Sequence, residues 1–232
     1  MNKKQMGGLS TMLIFSAVVI GIMFLVAAWA WMQLPANASI PVHWGINGEV
    51  DRYGGKFEGL LMPPLITLGI VLLMAFIPRL DPRGENIVRS NAAYKAIWMV
   101  TMLFMLLIYG IALLAIFGWP LDIGRIVGGA VGILFIILGN YMGKIRSNYT
   151  MGIRTPWTLA SELSWNKTHR LGGKLFVTLG TLTLVLTVMG QNAYTFYFMI
   201  IGLITTLVTV FAYSYLVWKN DPAAGANHTS AT

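Results

Sequence analysis

Apolar residues in this chain fall into six long runs separated by short polar stretches, at about 9–33, 59–78, 96–118, 125–143, 173–190 and 195–218. Most reach or approach the roughly 20 residues an α-helix needs to cross a bilayer, so the pattern predicts six membrane-spanning helices. The fifth run is the shortest and is rich in threonine. A turn at Gly190–Tyr194 separates it from a strongly apolar sixth. The first run is too long for a removable signal peptide, and its flank lacks a small-residue cleavage site.

Composition sharpens this picture. Of the 232 residues 56% are hydrophobic and 10% charged, with a mean hydropathy of +0.70; soluble domains carry about 25% charged residues. The net charge is +8, but its distribution matters more than its size. With six spans, the termini and the loops at 79–95 and 144–174 share one side and hold thirteen of the sixteen Lys and Arg. The other side holds Arg52, Lys56 and Arg125. The positive-inside rule then puts both termini in the cytoplasm. The basic excess is an orientation signal, and no direct nucleic-acid contact is read from it. The chain has no cysteine, which excludes disulfides and thiolate metal sites.

The expected fold class is an all-α integral membrane protein, a six-helix transmembrane bundle with a small ordered extracytoplasmic loop. Residues 1–78 form a two-span unit carrying that loop at 35–58. Residues 79–218 form a four-span unit with the cytoplasmic loop 144–174, and 219–232 a small, polar, disordered tail. No Asp, Glu, Lys, Arg or His lies well inside a run, whereas proton relays and ion paths need such groups. This counts against a proton-coupled pump or an intramembrane protease. Gly124, Gly128 and Gly132 recur at four-residue spacing and let helices approach closely. Packing within the bundle is the first reading of this face and a homodimer contact the second. Asn140 beside it is expected to bond a neighbouring helix or the stretch from Met151 to Lys174.

Two loops concentrate the remaining chemistry. The first, "IPVHWGINGEVDRYGGK" (Ile40 to Lys56), carries a strong turn signal at Asn47-Gly48. A hairpin between Val42 and Tyr53 would bring His43 and Trp44 towards Asp51 and Tyr53. His43, Glu49 and Asp51 could be read as metal ligands, but one histidine and no cysteine on this face make a poor set for a site that takes three or four ligands; no metal or cofactor is expected. The loop reads equally as an interfacial cap, with Asp51 and Arg52 in local salt bridges, and as a recognition surface.

The second is "MGIRTPWTLASELSWNKTHRLGGK" (Met151 to Lys174). Thr155 as N-cap and Pro156 at the first helical position predict a helix start, and Gly172-Gly173 a stop near Leu171. Trp157 and Trp165 read as anchors, and Arg154 and Glu162 as a pair. Glu162 and His169 fall short of an acid–base constellation, so no catalytic residue is assigned.

Both stretches resemble a known family. "GIRTPWTLASELSWNKTHRLGGK" (Gly152 to Lys174) is similar to the signature of the SdpI family, bacterial membrane proteins that protect against a secreted, membrane-active toxin peptide. The Pro-x-His-Trp…Gly…Asp-x-Tyr…Lys pattern at Pro41 to Lys56 is similar to an associated N-terminal domain of unknown function, DUF1648. The resemblance extends to the order of spans and so to nearly the whole chain. It implies toxin immunity at the bacterial cytoplasmic membrane and, as in the best-known member, recruitment of a DNA-binding repressor. On it His43, Trp44, Gly48, Asp51, Tyr53 and Lys56, with Arg154, Thr155, Pro156, Trp157, Glu162 and Trp165, become toxin- or partner-binding residues. Two other classes compete: a peptide or lipid transporter or flippase, and a membrane enzyme using His43 and Asp51 or His169 and Glu162.

Overall fold

The computed structural model describes residues 3–190 and 192–223. Its elements in chain order are helix α1 (Lys3–Gln33), strands β1 (Ile40–Trp44) and β2 (Val50–Gly54), a π-helical turn (Phe57–Leu61), then α2 (Met62–Leu80) and α3 (Gly84–Arg89). There follow α4 (Asn91–Ile116), α5 (Ile123–Met142), α6 (Pro156–Ala160), α7 (Glu162–Val188) and α8 (Asn192–Lys219). Among the described residues six helices are long and apolar enough to cross a membrane, including Leu9–Gln33 and Phe57–Leu80, as the six runs require. Leu25, Leu73, Ile201 and Val208 are each more than half exposed on these helices. In water such surface would drive aggregation; in lipid it costs nothing.

Two compact units can be told apart: residues 1–76, 98–130 and 185–196, and residues 77–97, 131–184 and 197–232. We call them the hairpin unit and the signature unit.

The hairpin unit packs Met23, Ala27 and Ala30 of α1, Ile40, Leu60, and Tyr109 and Leu113 of α4 into one core. Small residues on α1 admit the larger ones opposite. The π-helical turn has a local cause. Pro63 and Pro64 follow it, and Pro64 has no N–H to return to the Leu60 carbonyl four residues back. Tyr109 Oη donates to that carbonyl at 3.0 Å. Trp98 Nε1 likewise donates to Ser16 Oγ at 2.8 Å in the buried interior.

The signature unit departs from expectation in its helices. The helix expected from Pro156 to Leu171 is broken at Ser161, whose backbone is extended (φ −140°, ψ 123°). A single long helix, α7, then runs from Glu162 straight through Gly172-Gly173. The two glycines do not stop it, because they serve close packing. A side chain on Gly172 would meet Ile153 and Met142, and one on Gly173 would meet the Gly139 carbonyl at 2.7 Å. The fifth span therefore begins about ten residues earlier than its apolar run suggests. Of the tail, Lys219 ends α8 and Asp221 is buried; residues 224–232 lie outside the described residues.

Candidate functional site

The glycine face of α5 is occupied within the chain. In the hairpin unit a Cβ on Gly124 would lie 3.1 Å from the Asn192 side chain, and one on Gly128 3.0 Å from Thr187 Oγ1. In the signature unit Gly132 and Gly180 face each other, and so do Gly139 and Gly173. Without a hydrophobic drive between helices in lipid, such backbone contact is what holds them. The Asn140 side-chain amide donates to the Ile136 carbonyl of its own helix at 3.0 Å, in place of the neighbouring partner expected.

The expected hairpin forms. Strands β1 and β2 pair antiparallel with Ile40 opposite Gly54 and Trp44 opposite Val50, with bulges either side of His43. Gly45 N–H donates to the Glu49 carbonyl, and Gly48 takes φ +81°, a conformation that favours glycine. A Cβ on Gly48 would sit 3.2 Å from the Gly124 amide, so the hairpin tip rests on the start of α5. Ile40 is buried against Gly59, whose lack of a side chain makes the space. The opposite side chains stay out. His43 Nδ1 and Asp51 Oδ1 lie 2.5 Å apart with both side chains at least half exposed, Tyr53 is 58% exposed, and Trp44 is half-buried. Asp51 therefore pairs with His43, and Arg52 pairs with Glu58 at 2.5 Å, each a local salt bridge within the loop. Among the described residues no group of three His, Asp or Glu can hold a metal ion.

Lys56 holds this hairpin to the end of α1. Its ammonium donates to the Trp31 and Leu34 carbonyls, at 2.5 and 2.9 Å, and stands 4.8 Å over the Trp31 ring. Both carbonyls belong to the last turn and exit of α1, where no intrahelical donor remains. Replacing Lys56 with methionine keeps the stem and removes the donors. We expect a loss of roughly 1–2 kcal/mol of local stability, read as faster amide exchange over residues 40–54 with no change in α4 or α5. Unchanged exchange there would show that the strand register alone fixes the hairpin.

The signature segment is wired into its unit residue by residue. Thr155 Oγ1 accepts from the Thr158 amide while the Thr155 amide donates to Thr158 Oγ1, a reciprocal cap on α6 with Pro156 at its first position. Trp157 sets its edge against Phe211 and Tyr215 of α8, with ring centroids 4.9 and 5.1 Å away. Ser161 caps α7 by accepting from the Ser164 amide, and its hydroxyl donates to Asp221. Trp165 is fully buried, donates Nε1–H to the Ile145 carbonyl at 2.7 Å, and stacks on His169 at 4.1 Å. His169 Nε2 accepts from the Ile153 amide at 3.0 Å, which leaves Nδ1 to donate to the Trp165 carbonyl at 2.8 Å. Both ring nitrogens are thus committed to backbone, and His169 acts as a staple. Gly152, at φ +101°, is required beside it: a Cβ there would run into Nε2.

Arg154 and Glu162 stay exposed and do not pair. Arg154 Nη1 donates to the Tyr149 carbonyl at 2.7 Å instead, because the cap at Thr155 turns the chain between them. Two organisers escaped the sequence reading. Asp81 is buried and accepts from the Tyr149 amide, Thr150 Oγ1 and the Arg83 amide. Arg83 donates to Ser147 Oγ and the Leu159 carbonyl and lies over the Tyr149 ring. Asp-Pro-Arg-Gly signals its own turn, but nothing local points to partners 64 to 76 residues away.

Comparison with known proteins agrees with this geometry. A model of the SdpI/YfhL protein family matches residues 144–214, the segment running from the α5–α6 loop to Ser214. A model of the domain of unknown function DUF1648 matches residues 18–68, the stretch holding the hairpin and its supports. Immunity protein SdpI of Bacillus subtilis (strain 168) is 30% identical over 210 residues, which cover 89% of this chain and 95% of that protein. No solved structure matches the chain. Six apolar spans, the two matched segments and a similarity running almost from end to end make this a multi-pass bacterial membrane protein that belongs to the SdpI family.

Proposed function

We propose that this protein confers immunity on its cell by binding a secreted, membrane-active toxin peptide at the hairpin face. The observation that carries it is the near full-length similarity to a protein named Immunity protein SdpI. The hairpin supports a binding role: it is braced by Ile40, Gly48 and Lys56, while His43, Asp51 and Tyr53 are presented to solvent. Rigid presentation lowers the entropic cost of capturing a partner. No metal or covalent chemistry is required of it. The positive-inside rule sets both termini in the cytoplasm and the hairpin outside.

On this reading residues 1–78 carry the toxin-facing surface and residues 79–218 the cytoplasmic one. The exposed cations Arg79, Arg146 and Lys167 suit a cytoplasmic repressor recruited once toxin is bound. The test is survival of toxin-sensitive cells making this protein, beside cells making His43→Ala or Tyr53→Ala at matched membrane abundance. Wild type should protect, and each variant should lose about ten-fold in protective dose, the effect of one contact worth about 1.4 kcal/mol. No protection by a correctly inserted wild type would sink the immunity reading. Full protection by both variants would move toxin binding away from the hairpin.

A further inference from the structure

The signature unit contains a cavity of about 490 Å³ that the immunity reading does not use. Its walls are apolar: Ile97 of α4, Leu138 and Met142 of α5, Phe176 of α7, and Leu207 and Phe211 of α8. Its remaining side is the start of the signature, Gly152 to Thr155. Thr155 is spent on its cap and on Ser214 Oγ, so Arg154 is the one ionisable residue lining the space among the described residues. Among the described residues its guanidinium makes a single hydrogen bond, to the Tyr149 carbonyl, out of five N–H donors. In the same segment of chain, 144–174, Lys144, Arg146, Lys167, Arg170 and Lys174 are exposed, and none forms an ion pair with a described residue.

We propose that this cavity is a lipid site: it takes an acyl chain of an anionic phospholipid from the adjoining leaflet, with the phosphate held on Arg154. Size argues against a helical peptide. An α-helix about 10–12 Å across rises 5.4 Å per turn, roughly 400–600 Å³ each turn, so the cavity would take only one. An extended acyl chain is far thinner. Charge argues for an anionic head, because basic pockets between membrane helices bind anionic lipid head groups. An unspent guanidinium fork matches a phosphate in two hydrogen bonds. The signature then has two tasks in one segment: Thr155, Trp165 and His169 hold the fold, while Gly152 to Arg154 line the lipid site.

The proposal stands whether or not the protein confers immunity, and its test does not use toxin. Purified full-length protein in detergent is titrated with phosphatidylglycerol and with phosphatidylcholine of the same acyl chains. Bound lipid is counted by intact-complex mass spectrometry, and the unfolding midpoint is followed in parallel. Wild type should retain one phosphatidylglycerol in preference to phosphatidylcholine and gain stability from it. Arg154→Gln should weaken phosphatidylglycerol about five-fold while leaving phosphatidylcholine unchanged. Leu207→Trp, which fills the cavity from an exposed position, should lose both lipids without a lower midpoint in detergent alone. Equal retention of the two lipids by wild type, or undiminished retention by Leu207→Trp, overturns the proposal.

Discussion

Trp165→Ala is expected to remove about 3–5 kcal/mol from the signature unit, the range for deleting a buried large aromatic. Three losses meet at this side chain. The indole is fully buried among Ala93, Ile145, Ile97 and Tyr141, so truncation leaves a hole that helices pinned elsewhere cannot close. The Ile145 carbonyl loses its donor, itself costing about 1–3 kcal/mol when buried. His169 loses the ring on which it stacks, and with it the support that aims Nε2 at the Ile153 amide. Trp165→Phe keeps most of the ring and should cost less than half as much. The check is chemical unfolding of the purified protein in detergent, with protease sensitivity of residues 144–161 as a local probe. If Trp165→Ala unfolds like wild type yet loses function, Trp165 meets a partner, and its assignment as a structural anchor is wrong.

Gly180→Val is expected to destabilise by about 3 kcal/mol or more, at the upper end of overpacking costs. The reason is what the new side chain would strike. A Cβ on Gly180 would lie 2.5 Å from the Gly132 carbonyl oxygen and 2.9 Å from the Ile136 amide. Both are backbone of α5 and have no rotamer into which to retreat. Relief requires α5 and α7 to separate along the stretch where Gly139 and Gly173 also touch. The lipid offers no hydrophobic penalty for that separation, so the seam should open rather than strain. Gly69→Val in α2 is the control, since a Cβ there meets nothing within 4 Å; it should change stability by less than about 1 kcal/mol. Equal behaviour of the two variants in unfolding and membrane accumulation would show that the glycine seam is not the contact holding these helices.

The same seam shows where sequence reasoning stops. Glycines at four-residue spacing in α5 announce a close approach, but the spacing is identical whether the partner is α7 or a second copy. Only the fold supplies Gly180 opposite Gly132, Thr187 opposite Gly128 and Asn192 opposite Gly124. Gly172-Gly173 misleads for a related reason: a glycine pair ends a helix when it takes positive φ, and permits a crossing when it stays helical and buried. The two cases share one sequence. Capping is different, because its partners lie three residues apart. The roles of Thr155 and Pro156 are therefore legible in the order of residues alone, and Asn47-Gly48 locates the hairpin turn in the same way.

Local pattern and the solvent are enough to dictate the six spans, the hairpin and the start of α6. Bilayer thickness and backbone hydrogen bonding leave a run of about twenty apolar residues little other choice. Packing in three dimensions alone selects which polar groups meet across 59 to 82 residues of chain. Asp81 with Tyr149, Trp98 with Ser16 and Thr155 with Ser214 are such pairs. Each buried donor or acceptor must find a partner, and every Ser, Thr or carbonyl nearby is chemically eligible. The choice is made by which helices lie side by side, a property that no window of the sequence contains.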